Sequence, residues 1–235
     1  MKVRVIVLAA IATAGATAGM PAAASAKAAT GVTVPVVRCP TSFGAAPGRI
    51  SGRRRLALRD VPPSTAGLVA YTNSRGYLIG PPHLRCAGAV AADGNATIQA
   101  WPAGQARPAP HGAGAGLALS VIPACVGCKA LATCHYFPTF RRYLRQTALN
   151  CRLEPPPGER LRYLTKRLVA FVDPPFVRGA GWPSGAGRQS TGLVGIEPGP
   201  NRVVFTSSCT LPAAQQAVCV DSAAAARNLY SHPTQ

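Results

Sequence analysis

Short apolar runs broken by Gly, Pro and Asn/Asp recur along the chain, a pattern of strands and turns more than of long helices. Residues 68–71 and 77–79 read as strands. Residues 84–91 and 96–101 read as two more, and Asp93-Gly94 between them is a strong hairpin signal. Residues 117–122 form a further strand candidate, and 192–196 with 202–206 form a pair around a Pro-Gly-Pro-Asn break. Residues 161–172 are ambiguous, helix-like at first and strand-like through Leu168-Val169-Ala170-Phe171-Val172. The best helix is 213–230. A shorter one is expected at 138–149, with Phe140, Tyr143, Leu144 and Thr147 on one side and prolines 155–157 closing the unit. Residues 28–37 are expected as an exposed lead-in to Cys39, and 176–189 as turns. The Gly/Pro/Ala-rich 103–116 stretch is a possible boundary between halves. The fold class expected is α+β, antiparallel β-hairpins with two or three short helices, stapled by disulfides.

The N-terminus departs from this pattern. Lys2 and Arg4 precede an apolar run, 5–14, that is short for a membrane span, and Ala24-Ser25-Ala26 suits a signal peptidase. Residues 1–26 therefore read as a signal peptide, cleaved before Lys27, and 27–235 as a single secreted domain. Of the 235 residues 48% are hydrophobic and 14% charged, too apolar for a disordered chain. Arg supplies 21 of the 25 basic residues, a bias that a GC-rich genome produces on its own. Loss of Lys2 and Arg4 lowers the formal charge from +18 to +16.

Secretion changes the meaning of the eight cysteines, Cys39, Cys86, Cys125, Cys128, Cys134, Cys151, Cys209 and Cys219. An even count behind a leader implies disulfides. Cys209 and Cys219 close a short loop through Thr210-Leu211-Pro212 and are expected to pair. Cys39 and Cys86 form the N-terminal pair, which leaves the other four to pair among themselves. That central cluster has two further readings. Cys125-Val126-Gly127-Cys128, followed by Lys129, resembles a redox C-x-x-C, with Cys125 attacking and Cys128 resolving if a helix N-terminus follows. Cys125, Cys128, Cys134 and His135 also have zinc-ligand spacing. Lys129 directly after Cys128 excludes haem attachment, which needs His there. The structural disulfide reading is preferred; no metal and no cofactor is expected.

Tyr77-Leu78-Ile79-Gly80-Pro81-Pro82-His83-Leu84-Arg85-Cys86-Ala87-Gly88 and Asp93-Gly94-Asn95 resemble a pattern of uncharacterised secreted bacterial proteins, many of them actinobacterial. That pattern runs Leu-x-x-Pro-x-Gly-Trp-x-Cys, then Asp-Gly-Ser, then an apolar strand ending in Pro, here Trp101-Pro102. Similar pieces are Cys125 to Cys128, Cys134 with Phe137-Pro138, Asp173-Pro174-Pro175, Gly181 with Pro183-Ser184-Gly185, and Ser208 to Pro212. His83-Leu84 stands where the pattern has Gly-Trp, and Asn95 where it has Ser. The resemblance implies a secreted, cysteine-stapled domain and carries no activity.

Candidate chemistry is sparse. The seven acids, Asp60, Asp93, Glu154, Glu159, Asp173, Glu197 and Asp221, are scattered, and no spacing proposes the facing carboxylates of a glycosidase. His135, Asp173 and Ser184 follow the chain order of a trypsin-like triad, but at separations too short for two barrels. Ser184 as the nucleophile of a hydrolase is the weakest functional reading. The arginines weigh more. Arg49, Arg53, Arg54, Arg55 and Arg59 cluster without an acid, in a segment that lacks core periodicity; Arg141, Arg142 and Arg145 fall on the 138–149 helix, with Arg152, Arg160, Arg162, Lys166 and Arg167 after it. Such a chain attracts polyanions, so the partners expected are anionic wall polymers or a membrane surface. Aromatic interleaving is thin (Tyr143, Tyr163), so no specific nucleic acid is expected.

Overall fold

The computed structural model describes residues 31–44, 46–48, 50, 52–109, 114–137, 154–183, 187–197 and 202–231. The expected leader, 1–26, lies outside them. The described chain is mostly β-sheet with two α-helices and disulfides, which fits the α+β class broadly. The strands are β1 (Val32–Arg38), β2 (Thr41–Phe43), β3 (Ala46–Gly48), β4 (Arg55–Leu58), β5 (Val69–Thr72), β6 (Tyr77–Gly80), β7 (Leu84–Val90), β8 (Ala96–Pro102), β9 (Gly116–Ile122), β10 (Arg160–Thr165), β11 (Leu168–Asp173), β12 (Ser190–Ile196) and β13 (Val204–Thr210). The helices are α1 (Val126–Thr133) and α2 (Gln216–Ser231).

Two sheets form, a four-stranded one ordered β4-β1-β5-β6 and a nine-stranded one ordered β10-β11-β12-β13-β9-β8-β7-β2-β3. Period-two alternation gives each strand two different faces. On one face of the large sheet Ile98, Leu117, Leu119, Leu193 and Phe205 pack with Tyr71 and Leu78 of the small sheet and with Cys219, Ala226 and Tyr230 of α2. On the other face Val169, Phe171, Val194 and Val204 pack with Ala130 of α1 and with Cys134, Tyr136 and Phe137 just after it. A third core, Val34, Leu56, Leu58, Ala70 and Ile79 with Ala225, covers the far side of the small sheet. The sequence between β7 and β8 turns as its Asp-Gly requires. Gly94 has φ +82°, its N–H donates to Ala91 O at 2.9 Å, and Asp93 Oδ1 accepts from Asn95 N at 3.0 Å.

Several expectations need correction. Residues 28–37 are not simply an exposed lead-in: β1 pairs with β4 and β5, and Val34 is fully buried. The Arg49–Arg59 segment does contain core periodicity, because Leu56 and Leu58 of β4 point inward while Arg55 and Ala57 point out. Residues 161–165 are strand, not helix, held by pairing of β10 with β11. Pairing is not wholly antiparallel either: β1 with β5 and β2 with β7 are parallel. The chain leaves the small sheet after Arg38 and enters the large one at Thr41, so both pairings follow from one crossing at Cys39-Pro40. β8 and β9, on either side of the 103–116 stretch, are neighbouring strands of one sheet with a shared core, and 110–113 within that stretch lie outside the described residues.

His83 has φ +66° in the turn before β7. That left-handed conformation is easiest for Gly, and His is among the side chains that adopt it more often than most.

Cys39–Cys86, Cys125–Cys128 and Cys209–Cys219 are bonded, and Cys134 is bonded as well; no described cysteine is free. Cys151 lies outside the described residues. Multiple disulfides fit an oxidising, extracellular compartment. Among the described residues no helix is long and apolar enough to cross a membrane.

Candidate functional site

The β10–β11 hairpin turns at Lys166-Arg167 and pairs Arg160 with Val172. One position further out, Glu159 and Asp173 stand opposite each other at its open end. Both are buried. The two acids therefore do form a facing carboxyl pair, contrary to the reading of scattered acids. Glu159 Oε1 accepts from the Tyr136 hydroxyl at 2.8 Å and from Ala180 N at 3.1 Å. Glu159 Oε2 lies 3.7 Å from His135 Nε2. Asp173 Oδ2 accepts from Gly181 N at 2.7 Å. A Cβ on Gly179 would collide with Asp173 Oδ1 and Glu159 Oε1, so the 178–182 segment closes over the pair only because that residue is Gly.

Burial pushes the Asp173 carboxyl up to about 8, helped by the charge of Glu159 and by its hydrogen bond to that side chain, and opposed by the Gly181 N–H. Asp173 thus holds its proton to a higher pH than an ordinary carboxyl. Burial, followed by the Glu159 charge, also raises the Tyr136 hydroxyl, which remains a donor. The pair anchors the 178–182 segment to α1's C-terminal end and fixes His135 and Tyr136.

These two residues line a cavity of about 410 Å³ with Ser120, Arg178, Ala180 and Thr206. A second space of about 150 Å³, lined by Thr97, Gln99, Trp182 and Ser208, shares Ser120, Ala180 and Thr206 with the first. Together they form one groove on the α1 face of the large sheet. Glu159 and Asp173 do not line either space; Glu159 meets the larger one through its contacts with His135 and Tyr136. The His135 ring borders the groove, and the floor offers hydroxyls.

The other sequence candidates fall in separate places. Cys125 caps α1, its Sγ accepting from Cys128 N at 3.1 Å, so the C-x-x-C does open a helix after strand β9. Asp93 Oδ and the two sulfurs lie within 4.8 Å of one another, and a carboxylate there works against a thiolate. The zinc reading fails on geometry: Cys125, Cys128 and Cys134 are in disulfides, and His135 faces Glu159. His135 meets Glu159 at ion-pair distance, while Ser184 lies outside the described residues, so no triad is assembled among those described. Arg49, Arg141, Arg142 and Arg145 also lie outside.

Arg53, Arg54, Arg55 and Arg59 are exposed, and none forms an ion pair. The structure adds one residue to them. Arg38, at the end of β1, donates from Nη2 to Gly52 O at 2.9 Å, beside Val36 N, which donates to Arg54 O at 2.9 Å. Only the β1–β4 pairing could have revealed it. Arg160, Arg162, Lys166 and Arg167 are exposed on edge strand β10 and its turn, where charge blocks pairing with another chain. No protein-family model, curated protein or solved structure matches this chain.

Proposed function

We propose that this protein is a secreted, non-enzymatic, disulfide-stapled module that holds an anionic polymer of the cell envelope at a basic rim formed by Arg38, Arg53, Arg54 and Arg55. The observation that carries the reading is that arginines from two separate strands converge at one end of the small sheet without any acid to pair with. β4 is also an edge strand, so Arg55 alone is explained by edge protection. Arg38 is on an inner strand and is not. The motif around Tyr77–Gly88 resembles secreted proteins, which agrees with an envelope location.

The test uses a short DNA duplex as a polyanion of known charge density. Each neutralised phosphate contributes about −0.9 to the slope of log K against log salt. Replacing Arg53, Arg54 and Arg55 together by Ser is expected to flatten that slope by roughly two to three units. The fold is expected to survive, because the three side chains are exposed and Leu56 and Leu58 remain buried. Binding that ignores salt, or that is unchanged in the triple variant, removes the reading.

A second reading is favoured by one observation, Cys125 at the N-terminus of α1. As an oxidoreductase, the reduced Cys125 thiolate attacks a substrate disulfide. The resulting mixed disulfide is resolved by Cys128, the substrate leaves as a dithiol, and the Cys125–Cys128 bond re-forms. Its measured reduction potential decides: a value below about −300 mV marks a structural bond and excludes this role.

A further inference from the structure

We propose that the groove across β8, β9 and β13 is a binding site for a neutral sugar chain, recognised by a row of strand hydroxyls and by Gln99 and Trp182. The site is separate from the basic rim and does not depend on it.

The first argument is a change of character along one row of the sheet. Val169, Val194, Thr206, Ser120 and Thr97 stand directly opposite one another across β11, β12, β13, β9 and β8, and so share a face. Under the α1 side the row is valine and belongs to a core. Beyond it the row becomes three hydroxyls in succession, all lining the groove. The next row changes in the same way, from Phe171 and Gly192 to Ser208, Ala118 and Gln99. A solvated sheet face needs polarity, but a walled groove that buries polar atoms needs partners for them.

The second argument concerns two such atoms. Gln99 Oε1 is an acceptor and Trp182 Nε1 a donor; both are buried, both are without a hydrogen-bond partner, and both residues line the smaller space. Hydroxyl groups answer both, one donating to Gln99 Oε1 and one accepting from Trp182 Nε1. An anion cannot donate to Gln99, and an ammonium group cannot accept from Trp182. An apolar ligand would leave both unsatisfied. A polyol that presents several hydroxyls along a strip fits the row of Thr97, Ser120 and Thr206 as well. The larger space, about 410 Å³, falls within the roughly 300–1,000 Å³ of small-molecule sites.

Saturation-transfer NMR on the intact protein with maltotriose, with N-acetylchitotriose and with trigalacturonate tests this. At least one of the two neutral trisaccharides is expected to bind, and its binding to persist at high salt and in the Arg53/Arg54/Arg55→Ser variant. That separates it from the basic rim: loss of polyanion binding there leaves the sugar signal intact. Gln99→Leu and Trp182→Phe are each expected to weaken the neutral sugar roughly tenfold. Gln99→Leu is expected to do so without lowering the unfolding midpoint, since it deletes an unpartnered polar atom. Thr206→Val is the second variant should either fail to fold, and is expected to weaken binding while keeping the strand. Absence of transfer to both neutral trimers, binding of trigalacturonate alone, or neutral-sugar binding that the folded groove variants leave unchanged overturns the proposal; in those cases the buried atoms are met by water.

Discussion

The stability of this protein is expected to fall as pH rises from 5 to 8, the reverse of the usual behaviour of a buried carboxylate held by cations. Asp173 has an ordinary value of 3.8 and is raised to about 8 in the folded chain, chiefly by burial. Between those values the folded chain keeps a proton that the unfolded chain has released. Stability therefore decreases with pH through that window, by up to roughly 1.4 kcal/mol per unit, and levels off above it. Below the unfolded value both states are protonated and the contribution is fully present. The charged and titratable groups facing Asp173 are Glu159 and, through it, Tyr136 and His135. Burial also raises Glu197, which adds a slope of the same sign. Asp173→Asn keeps an acceptor for Gly181 N–H and cannot ionise. Guanidinium unfolding at pH 5, 7 and 9 is expected to show a steep decline for the parent chain and a much flatter profile for the variant, which becomes the more stable of the two at pH 9. A parent profile that rises over this range, or an Asn variant with the parent's slope, would show that Asp173 is ionised when folded.

That carboxyl pair was within reach of the sequence and was missed for a specific reason. Once 161–172 is read as a hairpin, Glu159 and Asp173 fall at matching positions outside it. The helix-like start, Leu161-Arg162-Tyr163-Leu164, hid the match, because tertiary pairing with β11 overrides local propensity there. Where the signal is local, reading succeeds. Asp93-Gly94 specifies its own turn, and the 213–230 periodicity survives as a 3-10 turn followed by α2. Where it is non-local, reading fails. Nothing near Arg38 announces Gly52, fourteen residues away. Nothing near Thr41 announces a parallel partner in β7. The groove was illegible for the same reason, since Thr97, Ser120 and Thr206 become neighbours only through register.

The largest loss of stability is expected from Cys39→Ala with Cys86→Ala. This bond spans 47 residues, against 10 for Cys209–Cys219. Loop-closure entropy then sets the contributions at about 4 kcal/mol and about 3 kcal/mol. Position widens the gap. Cys39 is fully buried at the point where the chain passes from one sheet to the other. Its N–H donates to Thr72 O of β5 at 2.9 Å, and Gly88 N of β7 donates to Pro40 O at 2.8 Å. Both parallel pairings, β1 with β5 and β2 with β7, start from this crossing, and neither has a tight turn to hold its register. Cys209–Cys219 instead ties α2 to β13, and α2 has other anchors. Tyr230 stacks on Phe205 with ring centroids 4.3 Å apart, and the Ser222 hydroxyl donates to Ile79 O. Cys209→Ala with Cys219→Ala should therefore leave the helix docked at a lower midpoint. Denaturant unfolding of the two double variants, under non-reducing conditions at one pH, gives the comparison. Equal midpoints, or a greater loss from the short loop, would mean that the crossing is held by strand pairing and not by the bond at Cys39.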